Sequence, residues 1–335
     1  MSAPPDAARW AAFARTFLAT LVLIVAGYLT LAYLVDPYDS GRSTLLSAGA
    51  VRPQGPRTAS ALRGRDPAFA GAVFGNSHIQ LVEPERLAQG SGIPFVQLSV
   101  PATGPLEQLT LMRWFLAHHP APRALVVAAD DYWCTGDPAL TNEKPFPFWL
   151  LAPDLGSYLR GLLRWPVAQE VAGRIGWLLG KRHKTARPDG WWDYEQNYLD
   201  LGFGTNPSWD AQREIRPPAT PAPGRGGPAF PAAARFGAFV EALPARTALI
   251  LVFPPVYAAA LPPPGSARAE AETACKAAIA TAARRHARSA VIDWRRPRPG
   301  VEDPALFFDQ THYRHALARR VTDEIVQSLR ELEDR

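Results

Sequence analysis

The side chains best suited to chemistry lie far apart in the chain. An apolar run, Ala70 to Phe74, ends abruptly in Gly75-Asn76-Ser77-His78. Such a run closing on a glycine predicts a buried strand handing over to a helix at a tight turn, with one hydroxyl exposed at the carboxyl edge of a sheet. Much later, Asp309-Gln310-Thr311-His312 sets a carboxylate three positions before an imidazole, close enough for one turn of chain to join them. A serine becomes a nucleophile when a histidine takes its proton and a third group holds that histidine in the right tautomer. Ser77, His312 and Asp309 are therefore a candidate triad. Asp-x-x-His often joins surface neighbours, and its weight here comes from standing just before the closing helix of a domain that opened with Gly-x-Ser.

The elements that must position these residues follow from apolar patterning. Strands are expected at Ala70 to Phe74, Pro94 to Val100, Ala124 to Ala129, Ala248 to Phe253 and Ala290 to Asp293. The third is apolar throughout, as a strand buried on both faces is. Helices are expected at Leu106 to His118, Leu155 to Leu179, Ala232 to Ala242, Ala267 to Ala287 and Tyr313 to Leu332. Strands alternating with helices imply an α/β domain with a parallel sheet covered on both sides. The alternation lapses over residues 135–227, read as one large insertion, within which Pro217 to Pro231 is a Pro/Gly-rich connection.

Thr16 to Val35 carries no charge and is almost wholly apolar, and about 20 such residues suffice for a helix to cross a bilayer. Tyr28 and Tyr33 suit one interface. Arg9 and Arg15 precede the run, whereas Asp36 and Asp39 follow it, which puts the amino terminus in the cytoplasm. No small-residue cleavage site follows, so an uncleaved anchor is expected rather than a signal peptide. The predicted organisation is a cytoplasmic tail (1–15), a transmembrane helix (16–35), a connector (36–65) and an exported α/β domain (66–335). The chain would then be a single-pass protein of the inner (cytoplasmic) membrane.

Of the 335 residues, 47% are hydrophobic, and the net charge of +5 comes from 36 basic against 31 acidic side chains. Such near balance argues against a nucleic-acid binder. No Gly-rich phosphate loop follows the first strand. Cys134 and Cys275 lack metal-ligand spacing; two separate buried thiols are the default, with one bridge open to an exported domain. His118, His119, His183, His286 and His315 have no carboxylate or cysteine partners at ligand spacing and read as surface residues. Neither a metal site nor a cofactor is expected.

Gly75-Asn76-Ser77 and Asp309-Gln310-Thr311-His312 together resemble the first and last blocks of the SGNH/GDSL hydrolase superfamily, with Asn76 in place of the usual aspartate. The resemblance runs from about Ala70 to Gln327 and implies a three-layer, flavodoxin-like α/β domain. It puts Ala102 where the family has its oxyanion glycine, and Asp130 or, preferably, Asp131 where it has an asparagine. An ionised carboxylate accepts hydrogen bonds and repels an oxyanion, so the second departure is the more serious. With the anchor and Gly-Asn-Ser-His, the chain looks more like the acyl-transfer branch, which includes proteins of alginate and other exopolysaccharide O-acetylation and of teichoic-acid D-alanylation.

By this resemblance Ser77 would carry an acyl group, the partner would be polysaccharide or another acylated carbohydrate, and a membrane-bound O-acyltransferase would be a further partner. His78 either assists the acyl group or acceptor, or caps the following helix. Trp191, Trp192 and Tyr194, in the aromatic stretch to Tyr198, form either a sugar-stacking platform or a small core. The alternative to an enzyme is a non-catalytic protein of the same fold that binds polysaccharide or scaffolds an assembly.

Overall fold

The five apolar runs become β1 (Gly71–Phe74), β2 (Phe95–Gln97), β3 (Ala124–Ala128), β4 (Ala248–Phe253) and β5 (Ser289–Asp293) in the computed structural model. This structure describes residues 5–46, 51–135, 137–139, 141, 144–181, 185–206 and 230–334. The Pro/Gly-rich connection up to residue 229, and His183, lie outside the described residues. The strands form one parallel sheet in the order β2-β1-β3-β4-β5. Ala72 of β1 pairs with Val96 on one side and Leu125 on the other. The chain winds outward from β1 to β2 and then back past it to β3. Between β1 and β3 the winding reverses, the point beyond whose carboxyl strand ends open α/β sheets bind their ligands.

Every residue of β1, β3 and β4 is buried, and the two-residue side-chain period explains how both faces are served. Val73, Val126, Ile250 and Val252 join one cluster with Leu87 of α3 (Pro84–Ser91) and with Leu317, Val321 and Ile325 of α11 (His315–Glu333). The neighbouring Phe74 faces the other way and meets Phe115 of α4 (Pro105–His118) edge-on, centroids 5.8 Å apart. On that side α9 (Pro231–Glu241) packs on α4 and on α10 (Ala267–Ala283), and α10 packs on α5 (Tyr132–Thr135). Cys134 of α5 and Cys275 of α10 form a disulfide, their Cα atoms 5.7 Å apart. That corrects the default of two separate thiols, because the packing of α5 on α10 supplies the geometry a bridge needs.

Two compact units are present, Met1–Pro53 with Trp149–Ala186, and Gln54–Phe148 with Arg187–Arg335. The stretch read as one insertion is thus divided between them. In the first unit α1 (Pro5–Val35) is long and apolar enough to cross a membrane. It stops at Asp36, which takes φ 45° and accepts the N–H groups of Ser40 and Gly41 on its carboxylate. The single helix expected from Leu155 to Leu179 is two, α6 (Leu155–Leu162) and α7 (Trp165–Leu178). Pro166, which lacks an N–H, suits the first turn of a helix and not its interior. Buried Arg174 of α7 pairs with Asp39, and Arg52 with Glu170 at 2.6 Å. In the second unit the expected connector contains α2 (Pro56–Arg63), begun by a proline at its first turn.

Candidate active site

β1 delivers Ser77 through Gly75, whose φ of 150° belongs to glycine; a Cβ there would lie 2.9 Å from Ala128 Cβ and Ile79 Cγ2. Asn76 then caps the 3-10 turn Ser77–Ile79, its Oδ1 accepting from the His78 N–H at 3.0 Å. Ser77 is left partly exposed at the carboxyl end of β1.

The second segment is folded around one carboxylate. Asp309 Oδ1 accepts the N–H groups of Thr311 (2.9 Å) and His312 (2.8 Å). Its Oδ2 accepts the Tyr198 hydroxyl at 3.1 Å and lies 2.8 Å from His312 Nδ1. His312 Nε2 lies 2.9 Å from Ser77 Oγ. The fold thus brings together all three residues of the candidate triad. Burial acts to raise the Asp309 pKa, but the hydrogen bond and charge of His312, helped by the two N–H donors, hold it well below the ordinary carboxylate value. A carboxylate held ionised keeps a proton on Nδ1 and leaves the Nε2 lone pair for the serine O–H.

Helix α8 (Tyr194–Asp200) frames this pair. Tyr194 is buried, donates its hydroxyl to the Tyr313 carbonyl at 2.7 Å and stands edge-on to the His312 ring at 5.5 Å. Tyr198 stacks on Phe308, centroids 4.4 Å apart. Glu195 Oε2 accepts from the His315 N–H at 2.5 Å and Oε1 from Arg314 at 3.0 Å, which fixes the start of α11 just after His312. Of the three aromatics considered for sugar contact, Tyr194 therefore belongs to the core, because its ring supports His312. Trp191 is partly buried with the Arg187 guanidinium 4.9 Å from its centroid, whereas Trp192 is 44% exposed.

His78 and Asp130 make a second imidazole–carboxylate pair. His78 Nδ1 lies 3.1 Å from Asp130 Oδ2, which also accepts from Asn76 Nδ2. Burial pushes the His78 pKa down, but the hydrogen bond and charge of Asp130, with the charge of Asp131, outweigh it and leave the pKa raised, against the opposing Arg295. Of the two aspartates that follow β3, Asp130 is the one that bonds to Asn76 and His78. Asp131 is half-exposed and lies 3.8 Å from Arg295 Nη1. The donor atoms of His78, Asp130 and Asp131 lie within 4.8 Å of one another, close enough to hold a metal ion. The buried Arg295, bonded to Glu272 at 2.8 Å, already brings positive charge to this group.

Ala102 follows β2 and takes φ 52°, a left-handed conformation that costs a residue with a Cβ about 1–2 kcal/mol and that glycine adopts freely. Its N–H and that of Ser77 donate to no other described residue.

Two of the histidines expected at the surface are buried. His119 is buried and stacks on Phe115, and His286 is buried with Nε2 2.6 Å from the Thr247 carbonyl. His315 Nε2 lies 3.0 Å from Asp193 Oδ1, a pairing across sequence that local spacing does not reveal. His118 is exposed, as expected. Sequence reasoning also missed the part Tyr198 plays; its four-residue offset from Tyr194 puts both on one helix face, a usable signal.

No protein-family model matches this chain, and no curated protein matches it significantly.

Proposed function

We propose that this chain is a membrane-anchored serine acyltransferase or esterase of the SGNH/GDSL type, exported from the cytoplasm and acting on O-acetyl groups of cell-envelope or secreted polysaccharide. One observation carries the reading: a continuous relay of Ser77 Oγ, His312 and Asp309 with spacings of 2.9 and 2.8 Å. In the first half-reaction His312 Nε2 takes the Ser77 proton as Oγ bonds to the acyl carbon. The proton then passes to the leaving oxygen as the ester bond breaks. In the second half, His312 takes a proton from water or a sugar hydroxyl, which attacks the acyl-serine and returns Ser77 to its hydroxyl form. The N–H groups of Ser77 and Ala102, which donate to no other described residue, are the candidate oxyanion donors.

Three further features support the reading. The five-stranded parallel sheet, in the order β2-β1-β3-β4-β5, is compatible with the α/β domain that the resemblance implies, and Ser77 stands at its reversal point. The disulfide suits an oxidising compartment. Within α1 the apolar stretch from Thr16 to Val35 follows Arg9 and Arg15 and precedes Asp36 and Asp39, the polarity of an anchor with its amino terminus inside. Trp192, the exposed member of the aromatic group, is the candidate surface for sugar stacking.

Asp130 favours the second reading, a non-catalytic binder or scaffold, because a carboxylate stands where the family has an amide. In the enzyme reading His78 and Asn76 bind that carboxylate and offset its charge.

The test is hydrolysis of an activated aryl acetate by the full chain in detergent. The wild type should turn over. Ser77→Ala and His312→Ala should each lower kcat/KM by about 10³-fold or more. Hydrolysis undiminished in Ser77→Ala would overturn the proposal, and a folded wild type that binds polysaccharide without turnover would favour the scaffold.

A further inference from the structure

In the unit that holds α1, the junction of α6 and α7 is pinned to the side of that helix. Tyr28 of α1 donates its hydroxyl to the carbonyl of Leu162, the last residue of α6, at 2.8 Å. Tyr33 meets Tyr158 edge-on, centroids 6.3 Å apart. Tyr28 lies two turns before Val35, so Leu162 stands back from the end of α1 by about 10 Å along the axis, at about 1.5 Å per residue. The stretch from Arg15 to Val35 is about 30 Å long, matching a hydrocarbon core. With Arg15 at one boundary of that core, Val35 falls at the other, and the α6–α7 elbow lies inside it.

The side chains at the elbow suit that depth. Leu163 is 52% and Trp165 75% exposed, two large apolar groups two positions apart at the break between α6 and α7. The neighbouring Arg160 and Arg164 are exposed, and long basic side chains can leave their stems among acyl chains while the charged heads reach phosphates. We infer that the α6–α7 elbow is a second membrane contact, inserted into the leaflet at the Val35 end of α1 through Leu163 and Trp165. The inference rests on reading α1 as a membrane span. Its occupant is the lipid bilayer.

The test uses the full chain in phosphatidylethanolamine–phosphatidylglycerol proteoliposomes, with one added cysteine per variant carrying an NBD fluorophore. Cys134 and Cys275 are bonded to each other and do not compete for the label. Labels go at Trp165→Cys, at Leu163→Cys as a second elbow position, at Val22→Cys within α1, and at the exposed Glu302→Cys of the α/β unit. Circular dichroism matching the wild type qualifies each variant. Chain-brominated lipid should quench the elbow labels to a similar extent as position 22 and leave 302 unaffected. Quenching at 22 but at neither elbow position would overturn the inference while leaving the anchor intact. Quenching at neither 22 nor the elbow would instead overturn the span on which it rests. Elbow labels shielded from both lipid and aqueous iodide would reveal a protein contact, and that result also overturns it.

Discussion

His78 and His312 stand edge to face with ring centroids 5.4 Å apart, each held by a carboxylate of its own. The consequences for pH differ. His78 has a pKa raised above the ordinary 6.5, because Asp130 and Asp131 outweigh burial. A raised folded-state pKa means stability that is fully present below the unfolded value and lost as pH rises through the folded value. The melting-temperature gap between wild type and His78→Gln should therefore be largest below pH 6.5 and shrink above it. A gap that widens with rising pH would contradict the ion pair. Asp309 is the opposite case: its contribution is present above the ordinary 3.8 and is lost only as pH falls through its depressed value. Ser77, Asp309 and His312 could be picked from the sequence because each lies in a short block with a chemical reason for its spacing. The contacts of Asp130 and Tyr198 could not be read there, since their partners Asn76 and Asp309 are brought near only by the fold.

At the scale of elements, α5 and α10 show what apolar patterning leaves out. The pattern located the strands to within a few residues, since β1, β3 and β4 are apolar runs with clear stops. Whether Cys134 meets Cys275, 141 positions away, depends on which helices share a face of the sheet. That follows from winding and not from local composition. Removing so long a cross-link with Cys134→Ser plus Cys275→Ser should lower unfolding free energy by about 2–5 kcal/mol. Urea denaturation measures it, and an unchanged midpoint would argue against the bridge. The division of Leu155 to Leu179 into α6 and α7 was legible in principle, because Pro166 marks the break. Helix α2 was hidden within a stretch whose Gly, Pro and Arg content reads as loop.

At the scale of the molecule, strand order is what turns a list of motifs into a site. The reversal between β1 and β3 puts Asn76, Ser77 and His78 beside Asp130, and a long excursion through β4 and β5 returns His312 to Ser77. Alternating strands and helices in the sequence implied a parallel sheet but did not dictate its order. They also did not reveal that Trp149–Ala186 clusters with the amino-terminal helix, because the contacts defining that unit join segments separated by the whole stretch from Gln54 to Phe148. The central claim is that this arrangement makes Ser77 a nucleophile. Its most direct test is to treat the full chain with a fluorophosphonate and map the adduct by peptide mass spectrometry. The account predicts one covalent adduct on Ser77, formed about 10³-fold more slowly in His312→Ala. A folded wild-type chain that stays unlabelled at Ser77, or that labels equally fast without His312, would contradict it.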